Sequence, residues 1–137
     1  MKKIKVLIGW SGDNYSASVS GGAVNSCVIV TGKTVEQVKK ELKEALDFHI
    51  AGCIEDGDVL ETWLVQGDYE FEYSYTASAL LHSLDGIVTR AAIARTTGIN
   101  EKLIGHYAMG HRSPRPAQRQ RIVDGIKKIG QELSAIE

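Results

Sequence analysis

Two cysteines, two prolines and no long apolar run exclude several protein classes at once. Cys27 and Cys53 stand far apart, form no CxxC, and have no histidine at ligand spacing. That argues against a structural zinc and against the disulfide framework of a small secreted domain. Both are expected as small buried hydrophobes. No segment reaches the roughly 20 apolar residues of a membrane-spanning helix. The opening Met1-Lys2-Lys3-Ile4-Lys5 starts as a signal peptide does, but the apolar run breaks at Gly9-Trp10-Ser11-Gly12-Asp13, too short for a signal core. A reducing cytoplasm is therefore expected. A net charge of −1 gives no overall basicity to mark a nucleic-acid binder.

Catalytic and cofactor sets are also missing. Gly32-Lys33-Thr34 has the ending of a phosphate loop, yet Cys27 stands where that loop needs glycine. Asp47, Glu55, Asp56 and Asp58 fall on a helix tail and a loop, where acidic side chains are solvated. His49 lies on an apolar helix face, the place of a packed histidine. Ser11 and Ser20 have no evident His/Asp partners. No enzyme activity, metal or cofactor is expected.

What is present is asymmetry. Residues 1–76 carry 7 Lys/Arg against 12 Asp/Glu, a net of −5; residues 77–137 carry 9 against 5, a net of +4. Opposite charge in the two halves suggests two modules with different partners. The hydrophobic pattern changes at the same place. Ile4, Val6, Ile8 and Trp10 alternate as a strand does, and so do Tyr15, Ala17 and Val19; Gly21-Gly22 breaks the second run. Cys27 to Thr31 is continuously apolar up to its last residue, the pattern of a central strand. Thr34 and Gln37 form a capping box, and Val35, Val38, Leu42, Ala45 or Leu46, and His49 recur at helical spacing, so a helix is predicted, ending near Gly52 or Gly57. Tyr69, Phe71, Tyr73 and Tyr75 alternate with polar residues as a fourth strand. The predicted class is α+β: a β-β-β-α-β module over 1–76, then an all-α module over 77–137.

The second module predicts short helices over Leu80–Leu84, Ala91–Thr96 and Asn100–Met109. A loop, Ser113-Pro114-Arg115-Pro116, then leads into a last helix with an apolar stripe at Ile122, Ile126, Ile129, Leu133 and Ile136. Ala94 is small where two helices approach, Gly98 tolerates a left-handed turn, and Ile93, Ile99, Ile104 and Tyr107 have the spacing of a shared core. Residues 88–116 resemble the helix-turn-helix of Cro and phage-repressor-like regulators, on Ala94, Gly98, Ile104, Gly110 and the basic loop ending at Pro116. The resemblance implies that Asn100, Glu101 and Lys102, with Gly105 and His106 one turn on, face the major groove. It also implies that Thr89, Arg90, Arg112 and Arg115 grip phosphates. The chemistry fits: Asn can pair with adenine, Glu can accept from cytosine and Lys can donate to guanine. Glu101 can equally serve the helix N-terminus, His106 can be an ordinary surface or packed residue, and Arg119 and Arg121 can be phosphate contacts or a solvated face.

The order of parts over nearly the whole chain resembles the HicB-type antitoxins. The first module matches through the early strand pair and Thr31-Gly32-Lys33-Thr34-Val35-Glu36 with Glu44-Ala45-Leu46. The second matches through the helix-turn-helix, Arg121-Ile122-Val123 and Gly130-Gln131-Glu132-Leu133. Asp13-Asn14-Tyr15-Ser16 stands where many members have a proline-containing pattern. The resemblance implies a partial ribonuclease-H-like fold for residues 1–76. It also implies a HicA-type RNA-cleaving toxin as partner, double-stranded operator DNA as a second partner, and a homodimer or higher homo-oligomer. Trp10, Tyr15 and Trp63 are the aromatic candidates for toxin contact, and each is equally a core candidate. The competing expectation is a stand-alone transcriptional repressor whose first module senses a ligand.

Overall fold

A computed structural model describes residues 1–20, Val24 and residues 27–137. The Gly21-Gly22 break predicted between the second and third strands lies outside the described residues. The class is α+β, with one four-stranded mixed sheet and six helices among the described residues. The chain divides into two compact units, Met1–Thr76 and Ala77–Glu137.

In the first unit, β1 (Lys2–Trp10) and β2 (Tyr15–Ser20) form a hairpin, and β2 pairs antiparallel with β3 (Cys27–Gly32). β4 (Tyr69–Tyr75) returns parallel to β1, with Ile4 opposite Phe71 and Ile8 opposite Tyr75. The order is β3-β2-β1-β4. Side chains of period two put Ile4, Val6, Ile8, Ala17, Val19 and Val28 on one buried face. Across that face runs α1 (Val35–Glu55), which buries Val38, Leu42, Leu46 and Ile50 at helical spacing and packs on β2 and β3. Thr34 Oγ1 accepts the Gln37 N–H at 3.0 Å, and Gln37 Oε1 accepts the Lys33 N–H at 3.0 Å. The first bond satisfies a first-turn amide that has no helical partner, and the second ties down the amide just before the cap. The helix stops at Glu55, and Gly57 follows in the left-handed region at φ 81°.

Three expectations need correction. β3 is an edge strand, not the central one, because β4 crosses back to the free edge of β1 and leaves β1 and β2 inside. Its continuous apolar run therefore does not mean burial on both faces: Val28 is buried, while Ile29 is 61% exposed on the open face. The cysteines are not buried hydrophobes. Cys27 is exposed on that edge strand, and Cys53 is half-buried with its Sγ 3.6 Å from His49 Nε2. His49 also reaches the Val24 carbonyl at 3.1 Å, which gives it a structural partner. The polar stretch between α1 and β4 holds a further helix, α2 (Thr62–Val65), anchored by buried Leu64.

The second unit is built on four helices: α3 (Ala77–Ser83), α4 (Arg90–Thr97), α5 (Glu101–Ala108) and α6 (Pro116–Ser134). Leu81, Ile93, Ile99, Ile104, Tyr107, Ala108 and Ile122 make its core, with Val88, Ala94, Leu103, Ile126 and Ile129 packed against it. Pro116 occupies the start of α6, where its missing N–H leaves no helical bond unmade.

Candidate nucleic-acid interface

The exposed face of α5 is positioned by a chain of local hydrogen bonds. Thr89 Oγ1 accepts the Ala92 N–H at 3.0 Å and caps α4. The helix ends at Gly98, φ 74°, whose N–H donates to the Ala94 carbonyl at 2.9 Å. A side chain in that left-handed conformation would be strained, so glycine fixes where the chain turns. Thr97 Oγ1 donates to the Ile93 carbonyl at 2.7 Å and accepts the Ile99 N–H at 3.2 Å, stiffening the exit. Two residues later Asn100 Oδ1 accepts the Lys102 N–H at 2.8 Å and starts α5.

α5 is amphipathic. Ile104, Tyr107 and Ala108 are buried, whereas Glu101, Lys102 and His106 are exposed and Gly105 is half-buried. Residues 101, 102, 105 and 106 lie three to four positions apart or adjacent, so they share one outward face. His106 belongs to that face rather than to the core, and its ring centroid lies 6.1 Å from that of His111. Gly110 (φ 78°) turns the chain after α5. Arg112, in the loop that follows, and Arg115, at the N-cap position of α6, are both exposed.

Not every predicted side chain is equally available. The Asn100 carbonyl oxygen is engaged in the cap, which leaves its amide NH2 as the outward group. Arg90 is half-buried and pairs with Asp85 at 3.4 Å. Arg121, read from sequence as phosphate contact or solvated face, holds the protein itself together. Its Nη2 donates to the Thr97 carbonyl at 2.8 Å and its Nη1 to Gln118 Oε1 at 3.0 Å. The helix C-terminus of α4 is thus met by a cation, as its dipole favours. Sequence spacing does not reveal this bond, because residues 97 and 121 are 24 positions apart.

In the first unit, Trp10 is half-buried and meets Tyr15 edge-on with centroids 4.8 Å apart. Tyr15 is buried. Trp63 is half-buried on α2, its centroid 6.3 Å from that of Tyr69. All three aromatics serve packing within their own unit. Tyr69, Phe71 and Tyr73 continue the ladder along β4, and Lys39 Nζ lies 4.3 Å from the Tyr73 ring centroid. Lys43 Nζ donates to Asp47 at 2.7 Å and to the Tyr69 hydroxyl at 2.9 Å, and these bonds raise the lysine pKa against a smaller opposing effect of burial. Desolvation, then the carboxylates of Asp58 and Asp56, push the Cys53 thiol up.

Compared with known proteins, the chain matches no family model, no curated protein and no solved structure. Among the described residues no cluster of three or more His, Cys, Asp or Glu has metal-binding geometry, and no helix is long and apolar enough to cross a membrane.

Proposed function

We propose that the chain is a HicB-type antitoxin that neutralises a small RNA-cleaving toxin of the HicA type with residues 1–76 and represses its own operon with residues 77–137. One observation carries the reading: the outward face of α5, set at a fixed angle by Gly98 and the Asn100 cap, lies close in sequence to the exposed Arg112 and Arg115. A helix with a free polar face, flanked by guanidinium groups, suits insertion into a major groove while the arginines hold phosphates. Glu101, Lys102 and His106 are then the base-edge candidates, with Asn100 contributing its amide donor. Gly105 allows close approach. Thr89 and Arg90 take the backbone-gripping position at the start of α4.

The first unit is read as a partial ribonuclease-H-like module. The order β-β-β-α-β, with the α2 turn added, supports that reading, and its net charge of −5 favours a basic, RNA-binding partner. The stripe on α6 begins in the core at Ile122 and runs out to Leu133, 57% exposed; Ile136, expected on the same stripe and 74% exposed, lies past the end of the helix at Ser134. Those last turns are the seam of a homodimer, which would place two α5 helices on half-sites about 34 Å apart.

Gel-shift titration on the chain's own promoter and on random DNA tests the DNA half. Lys102→Ala should lower the ratio of operator to random binding. Arg112→Ala should weaken both and reduce the salt slope by about one. The reading expects a small basic protein encoded in the adjoining reading frame; co-expression with the product of that frame tests the other half, with growth and RNA cleavage as readouts. A wild-type chain that binds no promoter DNA and leaves that protein toxic refutes the reading.

A further inference from the structure

From Glu44 to Asp68 the chain holds seven acidic residues and no lysine or arginine. The same stretch, the second half of α1 with the following loop and α2, carries four exposed large apolar residues: Phe48 (83% exposed), Ile54, Val59 (98%) and Val65. Phe48 stands on the solvent face of α1, opposite Leu42 and Leu46. Ile54 and Val65 line a groove of about 260 Å³ between α1 and α2, floored by Ile50 and Leu64. Lys43, paired with Asp47 at 2.7 Å, also lines the groove, so the negative excess belongs to the stretch that follows it. Isolated apolar residues on a surface are ordinary, but several collected in one stretch of net negative charge mark an interaction site.

The charges point the same way. Glu55 ends α1, and Asp56 and Asp58 follow it, with no basic residue in the last turn. Negative charge there opposes the helix dipole, so these carboxylates do not serve the helix. They suit an external cation-rich surface instead.

We infer that this acidic, apolar face of α1 and α2 is the docking surface for a small basic protein, with Phe48 as the anchor and Glu44, Glu55 and Asp58 steering the approach. The inference rests on the proposed neutralisation of a basic toxin and names the surface that performs it. It also replaces Trp10, Tyr15 and Trp63 as anchor candidates, since those rings pack within their own unit. An exposed aromatic supplies contact area with few rotors to freeze, and acidic neighbours raise the association rate toward a positive partner.

The test is calorimetric titration of the full chain with the purified product of the adjoining reading frame, which the proposal requires to be small and basic, at low and high salt. Phe48→Ala should raise Kd at least about tenfold. The pair Glu55→Lys and Asp58→Lys should raise Kd and flatten its salt dependence. Leu7→Ser and Ile29→Ser, on the open sheet face, should leave Kd within about threefold. Circular dichroism and urea unfolding of Phe48→Ala should match wild type, which shows the first unit still folded. If wild type binds and Phe48→Ala binds equally well, or the sheet-face variants lose binding instead, this surface is wrong while neutralisation stands. Loss of self-association in Phe48→Ala, with the basic protein still bound, assigns the face to a second copy and overturns the inference. No binding by wild type removes the neutralising reading and the surface together.

Discussion

Two glycines in α6 should respond to the same substitution with opposite sign. A Cβ at Gly125 would collide with the Thr97 Cγ2 methyl on α4, and Gly125 is buried. A Cβ at Gly130, five residues on, would meet nothing within 4 Å. Alanine in a helix interior is favoured over glycine by about 1 kcal/mol, so Gly130→Ala should stabilise by up to that amount. At Gly125 the same gain is opposed by overpacking, which costs about 1–3 kcal/mol. Thr97 cannot simply turn away. Its hydroxyl bonds the Ile93 carbonyl and the Ile99 N–H, and its own carbonyl takes Arg121, so rotation forfeits about 0.5–1.5 kcal/mol per bond broken. The clash therefore wins, and Gly125→Ala should destabilise by about 1–2 kcal/mol. The assay is urea unfolding of the full chain followed by helical circular dichroism. Thr97→Ser removes the offending methyl and keeps the hydroxyl, so the double variant should recover most of the loss, a coupling that additivity would not give. Gly125→Ala as stable as Gly130→Ala would refute the close packing of α4 on α6, and with it the placement of the Gly98 turn.

Three further outcomes follow from the caps and the thiols. Thr89→Ala should lower stability by about 1 kcal/mol in the same urea titration, while Thr89→Ser should stay near wild type, because only the capping oxygen matters. Asn100→Asp keeps an acceptor for the Lys102 N–H and should preserve stability while weakening DNA binding, since it exchanges an outward donor for a negative charge. Cys53 should alkylate with iodoacetamide more slowly than exposed Cys27 at neutral pH, because its raised pKa holds the thiol protonated; mass spectrometry of time points should show the gap narrowing as pH rises.

The helices and strands were legible because their signals are local. The Thr34–Gln37 capping box, the Val38-Leu42-Leu46 spacing and the Tyr69–Tyr75 alternation each sit within a few turns or pairs, and each element formed. Strand order was not legible. Periodicity says that a run is apolar and not which neighbours it acquires, so Cys27–Thr31 looked central although the return of β4 to β1 leaves it at an edge. α2 escaped because a four-residue helix with one buried leucine has no period to detect. At the candidate interface, the Gly98 turn could be read from the residue pattern, while the outward placement of Lys102 and His106 was implied by the resemblance. The engagement of Arg121 with Thr97 could not, since it depends on how α6 crosses α4. Phe48 was equally hidden: one aromatic on the polar face of a helix looks like noise until its exposure and its neighbours are known.

Glycine in the interior of a helix costs stability and needs a reason. Gly125 has an internal one, the Thr97 methyl pressed against it. Gly52 in α1, Gly105 in α5 and Gly130 in α6 do not, for a Cβ at each would meet open space. Each forfeits about 1 kcal/mol that alanine would supply without disturbing the fold. Their positions are not scattered among functions. Gly105 lies in the face of α5 that we propose enters a DNA groove. Gly130 lies beside the exposed end of the α6 stripe, and Gly52 lies one turn beyond Phe48. Where local preference is overridden and no contact within the unit explains it, alanine at that position separates the two costs: it should stabilise the chain, and a loss of binding would reveal an external contact.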